Sequence, residues 1–192
     1  MFNKIKMIYT ANSTLFRKFW VNQFAISMLG LMVTWPMNVL NSNHPEFGII
    51  PELAAFLFCG GLFCFLIYDL FYQLGAKDYI KVNHQNAVYD KYKALKITAV
   101  AYIPTIFVTV LAYIFYFANV GNGYAVTSLI LNVIIHAMYS GLFFILPSSM
   151  NIIAFPISIA ITFFFAFLGY YLASHDKYLR SFFGITVKVN KE

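Results

Sequence analysis

The chain has 192 residues, of which 61% are hydrophobic and only 10% charged, with a formal net charge of +6. A soluble domain carries roughly a quarter charged residues, so this composition excludes an ordinary soluble protein and points to an all-α integral membrane protein. No stretch is polar enough for a separate soluble domain, and residues 1–192 read as one transmembrane domain without internal repeats.

The opening segment "MFNKIKMIYTANSTLFRKFW" is basic like a signal sequence, but the apolar run that follows is too long for a signal core and lacks a small-x-small cleavage site. It is expected to remain as the first span, residues 19–40. The sequon at Asn12 lies among basic residues expected to face inward, so Ser13 or Thr14 is read as a helix N-cap instead. Trp20 and Trp35 fall near the two ends of this span, where amphipathic rings prefer the interface.

The second span, residues 53–74, contains Gly60 and Gly61, which permit close helix approach, and Cys59 and Cys64. Five residues on a helix separate the two thiols by about 140°, so they are read as free apolar cysteines. The third span covers residues 97–118, with Pro104 about one turn inside, and the fourth covers 152–174.

Residues 124–146 form a weaker run. On a helical wheel Ser128, Asn132, His136, Tyr139 and Ser140 share one face, opposite Val126, Ile130, Ala137 and Phe144. A polar stripe of this kind suits a helix in the interface, a re-entrant segment or a span facing the bundle interior. The architecture expected is a bundle of four transmembrane helices plus one partial or interfacial helix, with five transmembrane helices as the alternative.

All basic residues fall in three segments: 1–18, 75–96 and the tail from Lys177, which includes Arg180, Lys188 and Lys191. The positive-inside bias makes these cytoplasmic in a multi-pass protein of the cell membrane, with both termini inside. Lys77, Lys81, Lys91, Lys93 and Lys96 are expected to meet anionic headgroups of the bilayer. Asp90 is expected to pair with Lys93, and Val88, Tyr92 and Leu95 fall at helical spacing, as in a surface helix. The same charge explains away nucleic-acid binding. In the outer connection His44, Glu46 and Glu52 are too sparse to count as a metal site.

Asp69 is the one acid within a span, and an intramembrane acid is costly unless paired or functional. It is expected to pair with Arg17, Lys18 or Lys77. His136, with Asn132 and Tyr139 about one turn away, is expected to hydrogen-bond between helices, and it also has the chemistry to hold a polar solute or a proton. No Walker loop, G-x-S-x-G, H-E-x-x-H or paired C-x-x-C is present, so no catalytic residue and no cofactor is assigned.

The turn "LGAKD" at 74–78, Pro104 in the third span, and "GYYLAS" at 169–174 before a basic tail resemble a diffuse group of small multi-pass membrane proteins of Gram-positive bacteria. That resemblance implies the threading above and no activity. The function expected is a non-enzymatic subunit or accessory protein that packs against another membrane protein or a second copy of itself. The alternative is a small transporter or channel that uses the stripe of Ser128, Asn132, His136 and Tyr139.

Overall fold

A computed structural model of the protein describes residues 2–146 and 151–177, and among these every regular element is helical. Apolar sequence forces this outcome, because a backbone in hydrocarbon must satisfy its polar groups within its own segment. The helices are α1 (Phe2–Ala11), α2 (Ser13–Asn43), α3 (Ile50–Gln85), α4 (Lys93–Ala101), α5 (Ile103–Phe117), α6 (Gly121–Ile135), α7 (Ala137–Ile145) and α8 (Asn151–Ser174). Arg180, Lys188, Lys191 and the connection at 147–150 lie outside the described residues.

The chain crosses the bundle end to end four times. Short α1 folds back on the start of α2, with the Tyr9 ring 5.2 Å from Phe16 and 6.3 Å from Trp20. α2 then runs to the far end, α3 returns to the basic end, α4 and α5 go out again, and α8 comes back. α3 and α8 form the closest pair. A Cβ on Gly75 would strike the Tyr170 carbonyl, and one on Gly169 would strike the Tyr68 carbonyl, so glycine lets the two backbones approach.

The fifth apolar run does not pass through the bundle from end to end. α6 leaves the far end beside α5, with the Tyr124 and Tyr116 rings 5.3 Å apart, and winds into a π-type turn over Ile130–Ile135. The chain then breaks at His136 and turns by 87° into α7. There Ala137 packs on Gly30 in the middle of α2, Ser140 bonds Thr34, and Gly141 meets the Glu52 backbone near the start of α3. These neighbours lie progressively nearer the far end. Residues 121–145 are thus a re-entrant hairpin whose two ends are on the same side, which gives four full passages plus one partial element.

The break frees the Ile135 carbonyl in the bundle interior, and α2 supplies its donors. Gln23 Nε2 donates to it at 3.2 Å and Ser27 Oγ at 3.1 Å. A second break bends α4 against α5 by 58° at Tyr102. Pro104, in the first turn of α5, lacks the amide that would continue the helix. Trp20 Nε1 donates at 3.1 Å to the Ala101 carbonyl beside this break. Pro104 therefore divides the third span, where the sequence reading had it tolerated near a helix start. Asn12, and neither Ser13 nor Thr14, occupies the N-cap of α2, and it makes no side-chain cap bond.

The connection at the basic end also differs from expectation. α3 continues about three turns past residue 74 to Gln85, stopped by Asn86 in the left-handed conformation. Only residues 86–92 connect it to α4, and Val88 is 95% exposed, so no surface helix forms there.

Losing both donors to Ile135 leaves a buried carbonyl unsatisfied, at a cost of about 1–3 kcal/mol. The Gln23→Leu/Ser27→Ala double variant is expected to lose that much unfolding stability in detergent, and each single variant clearly less than half of it. Gly30→Ala, whose Cβ would meet the Ala137 backbone, should also lower the thermal midpoint, whereas Gly61→Ala, with nothing within 4 Å, should not.

Candidate functional site

Where the two helix breaks meet, a buried polar cluster joins α3, α7 and α8. Tyr102 Oη donates to Thr162 Oγ1 at 2.9 Å, and Tyr139 Oη lies 3.2 Å from the same oxygen. Thr162 passes its own proton back one turn to the Ser158 carbonyl, at 3.0 Å. Cys64 Sγ is 3.6 Å from Tyr139 Oη. Tyr102, Tyr139, His136, Ser158 and Thr162 are all fully enclosed. Phe19 and Phe63 close the cluster edge-on, their rings 5.6 Å from Tyr102 and 6.0 Å from Tyr139.

His136 joins through Ser158. The Ser158 hydroxyl donates to the Phe155 carbonyl at 2.8 Å, and its oxygen lies 3.3 Å from His136 Nδ1. Among the described residues, Nε2 has no hydrogen-bond partner, nor do Asn132 Oδ1 and Glu52 Oε2. The arrangement fixes two phenols and an imidazole at the centre of the bundle. No group of three His, Cys, Asp or Glu side chains among the described residues could hold a metal.

The predicted stripe is only partly assembled. Tyr139 and His136 enter the cluster, and Ser140 bonds Thr34 at 2.9 Å. Ser128 bonds its own turn at Ala125, and Asn132 is half-buried. A single helical face was expected, but the break at His136 puts Tyr139 and Ser140 on a different helix from Ser128 and Asn132. Tyr102, Ser158 and Thr162 were not singled out by the sequence, and Cys64 was read only as a free apolar thiol. The spacing of Ser158 and Thr162, one turn apart in an otherwise apolar span, was the available signal.

The acid assignments are corrected. Asp69 is exposed and pairs with none of Arg17, Lys18 and Lys77; its carboxylate accepts from Gln73 Nε2 at 2.8 Å. The buried acid at the basic end is Asp78, held bidentately by Lys93 at 2.7 and 2.8 Å and by the Tyr170 hydroxyl at 3.0 Å. Tyr89 stacks on Tyr170 with ring centroids 6.2 Å apart. Asp90 pairs with Lys96 at 2.8 Å instead of Lys93, and that hydrogen bond holds the Asp90 carboxyl below its usual range. Of the five lysines expected at headgroups, Lys93 and Lys96 are therefore engaged within the protein. At the far end Glu52 belongs to α3, buried and bonded by Asn41 Nδ2 at 2.7 Å, and is not a loop ligand beside His44 and Glu46.

The chain matches no protein family, no curated protein and no solved structure.

Thr162→Val removes the shared acceptor without changing shape, leaving two buried phenol hydroxyls short of a partner. A loss of about 1–3 kcal/mol is expected in detergent unfolding, and adding Tyr102→Phe and Tyr139→Phe should cost little more. Asp78→Asn should cost about 2–4 kcal/mol because Lys93 loses its counter-charge, whereas Asp69→Asn should stay within about 0.5 kcal/mol.

Proposed function

We propose that this is a non-enzymatic multi-pass membrane protein that acts as a subunit or accessory partner of a membrane complex, receiving a transmembrane helix of its partner in a groove between α3 and α8. The groove, of about 400 Å³, is apolar, with Leu57, Phe65, Ile161 and Phe165 on its walls and Tyr139 at its floor.

One observation carries this reading. Gly30, Gly75, Gly141 and Gly169 each have a neighbour that excludes a Cβ, but Gly61, exposed on α3 at the groove, has nothing within 4 Å. A glycine in a span without an internal packing reason leaves the backbone open to an external helix, the commonest use of small residues between membrane helices.

The protein belongs, on this reading, to the cell membrane, with its basic end and both termini in the cytoplasm. Support comes from the grouping of Lys6, Arg17, Lys18, Lys77, Lys81 and the 91–96 lysines at one end of the bundle.

A second reading, a small transporter or channel, is favoured by the bare His136 Nε2 beside two helix breaks, since unwound helices at mid-depth are where transporters bind ions and polar solutes. Gentle extraction from native membranes separates the two. The first reading expects a co-purifying membrane protein whose association falls at least about tenfold with Gly61→Leu, at unchanged thermal stability. A self-associating chain with the same sensitivity would make the partner a second copy. A lone monomer that moves protons or solute in liposomes, and stops when His136 is changed to Phe, would replace it with the second.

A further inference from the structure

We propose that a cleft at the basic end, between the start of α2 and α3, binds a phosphate group carried by the headgroup of an anionic phospholipid. The cleft measures about 440 Å³ and is lined by Lys18, Lys77, Lys81, Lys93 and Asp78. Four lysines against one aspartate leave three net positive charges in one concavity. Asp78 is already engaged by Lys93, at 2.7 Å. Among the described residues, Lys18, Lys77 and Lys81 have no carboxylate within 4.0 Å.

Three unpaired ammonium groups sharing a concavity repel one another, and the repulsion is relieved by a compact anion whose oxygens each can approach as a point charge. The start of α2 adds to this field. Ser13 and Thr14 form part of the wall, and the Asn12 side chain donates backward to the Ile8 carbonyl at 2.9 Å and leaves the helix start uncapped, so the positive end of the helix dipole is not neutralised there.

The lipid assignment follows from the rest of the lining. Leu70 and Leu74 of α3 border the same cleft, one to two turns from Lys77 toward the apolar part of the bundle. A phosphate seated among the lysines would place its glycerol and acyl chains along that apolar border. A soluble phosphate would use the lysines alone. The proposal is independent of the Gly61 groove, which lies on a different part of α3.

Native mass spectrometry of the purified full chain in detergent, titrated with short-chain phosphatidylglycerol, phosphatidylcholine and inorganic phosphate, tests it. Phosphatidylglycerol is expected to bind in preference to both others, and Lys77→Gln/Lys81→Gln to weaken it by at least about tenfold. The control pair Lys6→Gln/Lys91→Gln, which removes the same charge away from the cleft, should change binding less than about twofold. Lys77→Arg/Lys81→Arg should retain it. Equal weakening by the control pair, or loss of binding in the arginine variant, overturns the site. Inorganic phosphate binding as tightly as phosphatidylglycerol, with the same dependence on Lys77 and Lys81, overturns the lipid assignment.

Discussion

A peptide carbonyl released inside a membrane bundle has no bulk water to turn to, and this fold is organised around one such group, the Ile135 oxygen. A continuous helix would have satisfied it with an amide four residues on. The chain breaks at His136 instead, and Gln23 and Ser27 of α2 donate to the orphan. With each unsatisfied group in hydrocarbon costing several kcal/mol, the reversal is tolerable only where such donors already stand. Gly30 is the accompanying steric condition, since any side chain there would strike Ala137.

The reversal has consequences for the centre of the molecule. Because α7 returns toward the far end along α2 and the start of α3, Tyr139 reaches Thr162 and His136 reaches Ser158. A straight fifth span would carry the residues after Ile135 on toward the basic end instead. The second break, at Tyr102, brings another phenol to the same threonine. Two helix discontinuities thus share one hydrogen-bonded core. At the basic end an independent set of interactions joins α3, α4 and α8 through Asp78, Lys93 and Tyr170.

Much of the architecture was legible in the sequence because its signal is additive over long windows. Four apolar runs and the grouping of lysines suffice for the helical membrane bundle, and the polar residues between 124 and 146 marked the run that bends back on itself. The particular partners were not legible, because each depends on a single residue and a long-range contact. Asp69 and Asp78 differ by nine positions on one helix, yet only the end of α3, carried past the apolar run to Gln85, decides which acid faces Lys93. Likewise Gln23 and Ser27 look like minor polar interruptions of the first span until the carbonyl they serve is in view. The helical wheel over 124–146 was misleading past residue 135 because it assumes a helix that His136 ends.

The re-entrant path is tested most directly by placing single cysteines at Asn119, before α6, and at Leu146, after α7, in a cysteine-free background. Labelling intact cells with a membrane-impermeant maleimide should modify both positions or neither, because the hairpin returns to the side from which it entered. Modification of one position and not the other, with both reactive after permeabilisation, would mean that residues 121–145 cross the membrane and that the capped break at Ile135 does not reverse the chain.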